Sequence, residues 1–289
     1  MVAGAIRPIA AAEWLMIALH FKKIKCPLLK HLARKIRALD HMKNRVETLV
    51  LGSSHAQMGW IANGNEFNLG IGYQDLYYTY ELYSRYKNYP NLKTIVVFYS
   101  VFSQGHQLIR TKDARICITF KAVANIDYED WGYASALRLN WLLGSYRRKA
   151  ANWCKSHRLD KNDFGNEYDY IPVKTKTASE RALPHLKNNN RQYDMSKFLD
   201  SLAKDTEERN QRLIFVIPPA TKEYRNALPE YNLLFGNLAR FMQQHRNVMI
   251  LNHFNDDRFS SSDFIDWDHL SLEGANKLTD IVRREMCNG

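Results

Sequence analysis

Glu47-Thr48-Leu49-Val50-Leu51-Gly52-Ser53-Ser54 is a short apolar run closed by a glycine and two serines. An apolar run of this length without polar alternation is the pattern of a strand buried on both faces, and such strands belong to parallel sheets. Working outward, the pattern recurs at Glu66–Leu69, at the β-branched and aromatic Thr94–Tyr99, at Arg212–Ile217 stopped by Pro218-Pro219, and at Val248–Leu251. Helical spacing fills the intervals: Leu76, Tyr80 and Tyr83 share a face over 73–86, and another helix is expected over about 231–245. A last helix has Ser271 as its N-cap, Glu273 in its first turn, and Arg283 and Arg284 in its last. That charge order complements the helix dipole. Strands alternating with helices predict an α/β fold, a parallel sheet covered on both faces, with its site at the carboxyl ends of the strands. Ser54 directly follows the first strand and falls at that end.

Two stretches break the rhythm. Residues 106–194 combine a helical, aromatic part (133–154) with a polar part rich in Lys and Asn (160–190), and read as an insertion, a cap near the site. The plain alternative is a helical connection extended by a loop. Residues 1–45 form an N-terminal segment ahead of an α/β domain over 46–289. Its apolar stretch, Ile9–Leu19, is interrupted by Glu13 and is too short for a span of about 20 residues. Between Lys22 and Arg45 stand nine Lys or Arg against one acid, Asp40, with Leu28, Leu32, Ile36 and Leu39 at helical spacing. This basic amphipathic helix suits contact with an anionic membrane surface through 22–45, or plain packing on the domain by its leucines. Nucleic acid is not expected, because no recognised binding motif accompanies the charge.

Composition sets the outer bounds. The 289 residues are 45% hydrophobic and 25% charged, with 16 Tyr, 13 Phe and 6 Trp, ample for a core and against disorder as the main state. The formal charge is +11. Cys26, Cys117, Cys154 and Cys287 are scattered, without metal-ligand or disulfide spacing. Four free thiols fit a reducing compartment.

The chemistry rests on Ser54 together with Asp266-Trp267-Asp268-His269. A serine hydroxyl needs an imidazole to take its proton and a carboxylate to hold that imidazole in the right tautomer. Ser54, Asp266 and His269 supply nucleophile, orienter and base. Each has a plain alternative: Ser54 could cap the helix behind it, and Asp268 competes with Asp266 as orienter. His55 reads as a turn residue. Gly70-x-Gly72 lacks the third glycine of a dinucleotide loop, and Tyr77, Tyr78 and Tyr80 read as core and helix surface.

Taken in block order, Gly52-Ser53-Ser54, then Asn68-Leu69-Gly70-Ile71-Gly72, then Asp266-x-x-His269 resemble the SGNH/GDSL hydrolase superfamily. With Asp268-His269-Leu270-Ser271-x-x-Gly274-Ala275, the spelling is most similar to its bacterial polysaccharide O-acetylation and D-alanyl transfer branches. The resemblance implies a flavodoxin-like three-layer α/β/α sandwich with no metal or organic cofactor. It implies Ser54 as nucleophile, Asp266 and His269 as its partners, and backbone N–H groups of Ser54, Gly72 and Tyr73 as the oxyanion hole. Two blocks depart from the family's pattern. Tyr73 stands where the second block has a glycine, and Tyr99-Ser100-Val101-Phe102 replaces the third block, removing its Asn donor and leaving Ser100 or Gln104 as substitutes.

The resulting expectation is a serine esterase or O-acyltransferase working through an acyl-serine, with an acylated carbohydrate or other acyl donor as partner, in cell-surface polysaccharide modification. The expected location is cytoplasmic, peripheral on the inner leaflet. The competing expectation is a catalytically weak scaffold of the same fold that binds glycan at the membrane surface, motivated by the two altered blocks.

Overall fold

The computed structural model of the chain describes residues 27–168, 175, 177–188 and 194–288. The apolar stretch 9–19, Lys22, Lys23, Lys25, Cys26 and parts of the polar stretch 160–190 lie outside those residues. Five parallel strands form one sheet in the order β2-β1-β3-β4-β5: β1 Thr48–Leu51, β2 Glu66–Asn68, β3 Thr94–Phe98, β4 Arg212–Ile217 and β5 Val248–Asn252. This is the doubly wound order whose direction reverses between β1 and β3. The crevice at the carboxyl ends of those two strands is therefore where this topology makes a site.

Alternation along the strands sends side chains into two cores. Leu49, Leu51, Ile95, Val97, Leu213 and Phe215 point to one face, and Val50, Val96, Phe98, Ile214 and Val216 to the other. The second face is covered by α2 (Ser54–Gly59) and, through Ala275, Leu278 and Val282, by α11 (Leu272–Asn288). The first face takes α1 (Pro27–His41), α3 (Leu76–Tyr86), α4 (Cys117–Ala124), α8 (Ser196–Glu208) and α10 (Tyr231–Gln244). Between these lie α5 (Trp131–Ala136), α6 (Leu139–Ser156), α7 (Ala178–Asn188) and α9 (Lys222–Asn226).

Several elements differ from the sequence reading. The helix expected over 73–86 starts at Leu76, because Tyr73 has φ 68 and cannot lie in a right-handed helix. Asp75 caps it instead, accepting from Tyr78 N–H at 2.9 Å. The helix expected over 133–154 is two helices, α5 and α6, divided where Arg138 takes φ 56. The insertion expected over 106–194 contributes to the main core: Phe120 of α4 stacks on Tyr78 at 4.0 Å, and Cys117 and Ile118 are fully buried.

Of the two readings of the basic helix, packing by its leucines is the one seen in α1: Leu32, Ile36 and Leu39 are buried in the same core as Leu49 and Leu51. Arg34 is engaged as well, pairing with Asp163 and Glu167, both at 2.5 Å. Lys35 is wholly buried and donates to the Gly70 carbonyl at 2.6 Å. Among the described residues, no helix is long and apolar enough to cross a membrane.

Candidate active site

The turn after β1 is built by Gly52. Its φ is +133, and an added Cβ would lie 3.0 Å from the Phe98 carbonyl oxygen and 3.1 Å from Ala56 Cβ. Only glycine admits that conformation and that approach. Ser53 then takes the N-cap position of α2, with its carbonyl accepting from Ala56 and Gln57 N–H. Ser54 is thus the first helical residue and not the cap, and its side chain is free for another partner. A second glycine is needed behind it: at Gly70 a Cβ would lie 2.6 Å from Ala56 Cβ and 2.7 Å from Gln57 N. Buried Asn68 locks the same contact by donating to the carbonyls of Ala56 and Trp60 at 2.9 and 2.8 Å.

On the far side of the chain, the loop before α11 folds around the Asp266 carboxylate. Its Oδ1 accepts the backbone N–H of His269 at 2.8 Å and of Asp268 at 3.1 Å. Its Oδ2 lies 2.9 Å from His269 Nδ1, and His269 Nε2 lies 2.9 Å from Ser54 Oγ. The structure therefore brings Ser54, His269 and Asp266 into one hydrogen-bonded line. His269 is buried to 1% exposure. Burial pushes the Asp266 carboxyl up, but the His269 ring and the backbone donor outweigh it and hold the group below its ordinary value. An ionised Asp266 requires Nδ1 to carry the ring proton, which leaves Nε2 as acceptor for the Ser54 hydroxyl.

Asp268, the competing orienter, is committed elsewhere. Arg181 of α7 grips it with Nε at 2.7 Å and a second guanidinium nitrogen at 3.0 Å, and His55 Nε2 lies 3.0 Å away. His269 Nδ1 is 3.8 Å from Asp268, too far for a hydrogen bond. Despite burial, the neighbouring His269, His55 and His185 hold the Asp268 carboxyl well below its ordinary value.

His55 is not the turn residue that the sequence suggests. It lies in α2, buried, with Ser100 Oγ 2.9 Å from Nδ1 and its ring stacked on His269 at 4.8 Å and 20°. Burial lowers its pKa, opposed by the Asp268 bond. A neutral ring then donates from Nε2 to Asp268 and accepts the Ser100 proton at Nδ1. His185 closes the group: Tyr224 Oη lies 2.5 Å from its Nδ1, and burial pushes its pKa down to about 3.

The oxyanion candidates divide. The Gly72 N–H donates to Gln57 Oε1 at 2.8 Å, so it is already used, contrary to expectation. Ser100 is likewise corrected as a substitute donor, because its proton belongs to His55. Gln104 is held by its carbonyl, which accepts from Met195 N–H. The N–H groups of Ser54 and Tyr73 make no hydrogen bond among the described residues. Tyr73 in fact carries the left-handed backbone that the glycine of the resembled block would take freely, at a cost of about 1 kcal/mol for a side-chain-bearing residue.

His55, Asp268 and His269 hold donor atoms within 4.8 Å of one another, close enough to consider a metal. The set does not fit one, because the Asp268 oxygens already receive the Arg181 guanidinium and the His55 N–H, and a cation there would meet a cation. Beside His55, Ser100 and Asp268 lies a narrow pocket with Ile217, Pro218 and Phe235 in its wall. Arg181, His185, Tyr224 and Gln57 carry no motif, and nothing in their sequence neighbourhood points to this site.

No protein-family model matches the chain, and no curated protein matches it. Solved structures do match. One is a Streptococcus pneumonia protein provisionally described as a platelet activating factor, at 11% identity and TM-score 0.43, covering 96% of this chain and 99% of that one. Another is a Desulfitobacterium hafniense DCB-2 protein, provisionally a lipolytic protein of the G-D-S-L family, at 9% identity and TM-score 0.37, covering 83% and 98%. A third is a provisional acylhydrolase from Bacteroides fragilis NCTC 9343, at 9% identity and TM-score 0.41, covering 87% and 94%. These are proteins that the chain is similar to; its fold and the chemistry of its site are argued from its own residues.

Proposed function

We propose that the chain is a serine esterase or O-acyltransferase that works through an acyl-Ser54 intermediate on a carbohydrate ester. The observation that carries this is the line from Ser54 Oγ through both ring nitrogens of His269 to Asp266, each contact at 2.9 Å. As Ser54 Oγ attacks the acyl carbon, His269 Nε2 takes its proton, and the anionic Asp266 stabilises the imidazolium that results. The tetrahedral oxyanion receives the N–H groups of Ser54 and Tyr73. Its collapse returns the proton from Nε2 to the leaving alcohol. Water or a sugar hydroxyl then attacks the acyl-serine by the same steps in reverse. The carbohydrate assignment rests on the resemblance of the Gly52–Ser54 and Asp266–Ala275 motifs to polysaccharide-modifying branches.

With Gly72 committed to Gln57 and no Asn in the third block, two backbone donors serve the oxyanion. Each absent donor costs on the order of a hundredfold in turnover, so slow hydrolysis of simple esters is expected. The test is fluorophosphonate labelling and acetyl-ester turnover in the parent and in Ser54→Ala. Both should vanish in the variant, and their persistence would overturn the assignment.

A further inference from the structure

Residues 131–159 contain six Arg or Lys and no Asp or Glu. They form α5 and α6, and they carry three of the most exposed large apolar side chains: Trp131 at 44%, Leu137 at 42% and Trp141 at 58%. At about 100° per residue, the buried Leu139, Tyr146 and Ala150 of α6 lie some 140–180° around the helix from Trp141. Trp141 is therefore centred on the outer face and is not a fringe of the core. Arg148 and Lys155 fall within about 40° of it on the same line, and both are exposed. Arg138 lies over the Trp141 ring at 5.0 Å. Of the acids just before the segment, Asp130 pairs with Arg110 and Asp127 with Lys121.

We propose that this face of α5 and α6 docks on an anionic lipid surface, with Leu137 and Trp141 entering the headgroup boundary and Arg138, Arg148 and Lys155 pairing with lipid phosphates. The charge argues for that occupant. A second copy would bring the same positive face and repel. Trp141 with Arg148 and Lys155 on one helix face, and Leu137 and Arg138 at the turn that leads into it, match a bilayer boundary, where an indole sits at headgroup level and the cations meet phosphate. A nucleic-acid strand would give Leu137 no base to stack on. The proposal is independent of the Ser54 chemistry.

The test is co-sedimentation of the full chain with vesicles of phosphatidylcholine alone and with about a third phosphatidylglycerol. The parent should partition to the anionic vesicles alone, less so at high salt. Arg148→Glu with Lys155→Glu should reduce the partition coefficient by about thirtyfold or more, at about fivefold for each lost contact. Leu137→Ala with Trp141→Ala should reduce it at every salt concentration. Circular dichroism and acetyl-ester turnover should match the parent in both, since none of these residues touches the site. No binding to anionic vesicles, or equal binding by the variants, would overturn the proposal. So would variants that abolish a dimer or oligonucleotide retention and leave vesicle binding unchanged.

Discussion

Asp266→Asn should nearly abolish turnover, and Asp268→Asn should not, although both replace a buried carboxylate within 4 Å of the same imidazole nitrogen. The reason lies in what each oxygen does. Oδ1 of Asp266 accepts two backbone N–H groups, from Asp268 and His269. In the Asp266→Asn variant the amide oxygen must stay there, since turning the amide would set its NH₂ against two donors. The NH₂ then takes the place of Oδ2, 2.9 Å from His269 Nδ1. A donor at that position competes with the Oδ1 contact to Nδ1 at 3.0 Å and favours the tautomer with the ring proton on Nε2, which cannot take a proton from Ser54. The loss expected for a wrong tautomer in an intact fold is about 10⁴ in kcat, or roughly 5.4 kcal/mol. Asp268 makes no hydrogen bond to His269, and its partners are Arg181 and His55, so Asp268→Asn should change kcat by about tenfold or less. Its cost should appear in stability, because a buried guanidinium loses its charge partner. Acetyl-ester kinetics and urea unfolding of both variants separate the two roles. If Asp268→Asn lost activity as completely as Asp266→Asn while remaining folded, the assignment of orienter would be wrong.

Arg181→Met should destabilise the chain by about 3 kcal/mol, because the deeply buried Asp268 keeps its charge and loses a bidentate partner; urea unfolding measures it, and a change under about 0.5 kcal/mol would show the pair to be idle. Lys35 has its pKa lowered to about 7 by burial, against an ordinary 10.5. Between those values the unfolded chain binds the extra proton, so stability should climb with pH by up to about 1.4 kcal/mol per unit above about pH 7. Lys35→Met should remove that climb in unfolding curves taken at successive pH, and an identical slope in the variant would refute it. At Tyr73, Gly should be about 1 kcal/mol more stable than Ala because only glycine takes φ 68 without strain. Both should keep turnover, as the donor is the backbone; a large loss in both would give the Tyr73 ring a part in the site.

The five strands were legible because a parallel strand buried on both faces must be apolar throughout, and Thr94–Phe98 or Leu213–Ile217 admit no other reading. Helix boundaries were less so. The break between α5 and α6 falls at Arg138, a residue with no intrinsic preference for a left-handed backbone, so only packing reveals it. The basic helix left two readings open for a related reason. Its charges are arranged as for a solvated face, but Arg34 and Lys35 find their partners at Asp163, Glu167 and Gly70, remote in sequence. The oxyanion loop failed as a reading in the same way: a Gly72 N–H is an available donor in sequence, and becomes unavailable only because the Gln57 side chain reaches it.

The site itself shows where sequence logic ends. Asp266-Trp267-Asp268-His269 offers two carboxylates, and spacing alone favours one without giving the other a task. The fold supplies the task. Asp266 fixes the edge of the His269 ring through Nδ1, which sets its tautomer, while its plane is fixed by the stacked His55 at 4.8 Å. His55 is held in turn by Asp268 at one nitrogen and by Ser100 at the other, and Asp268 by Arg181 of α7. An imidazole constrained at edge and face loses the rotation that would otherwise compete with its contact to Ser54, which is the positional accuracy that general-base catalysis needs. On the proposed function, the residues at the place of the resembled third block do not leave a gap: Ser100 bonds His55 and so serves the orientation of the base. If catalysis proceeds as proposed, it leans on a rigid base and two backbone donors, so loosening His55 should lower kcat while leaving KM close to the parent value. Stopped-time kinetics of His55→Ala with a soluble acetyl ester decide it, and a rise in KM with unchanged kcat would show that His55 lines the substrate instead.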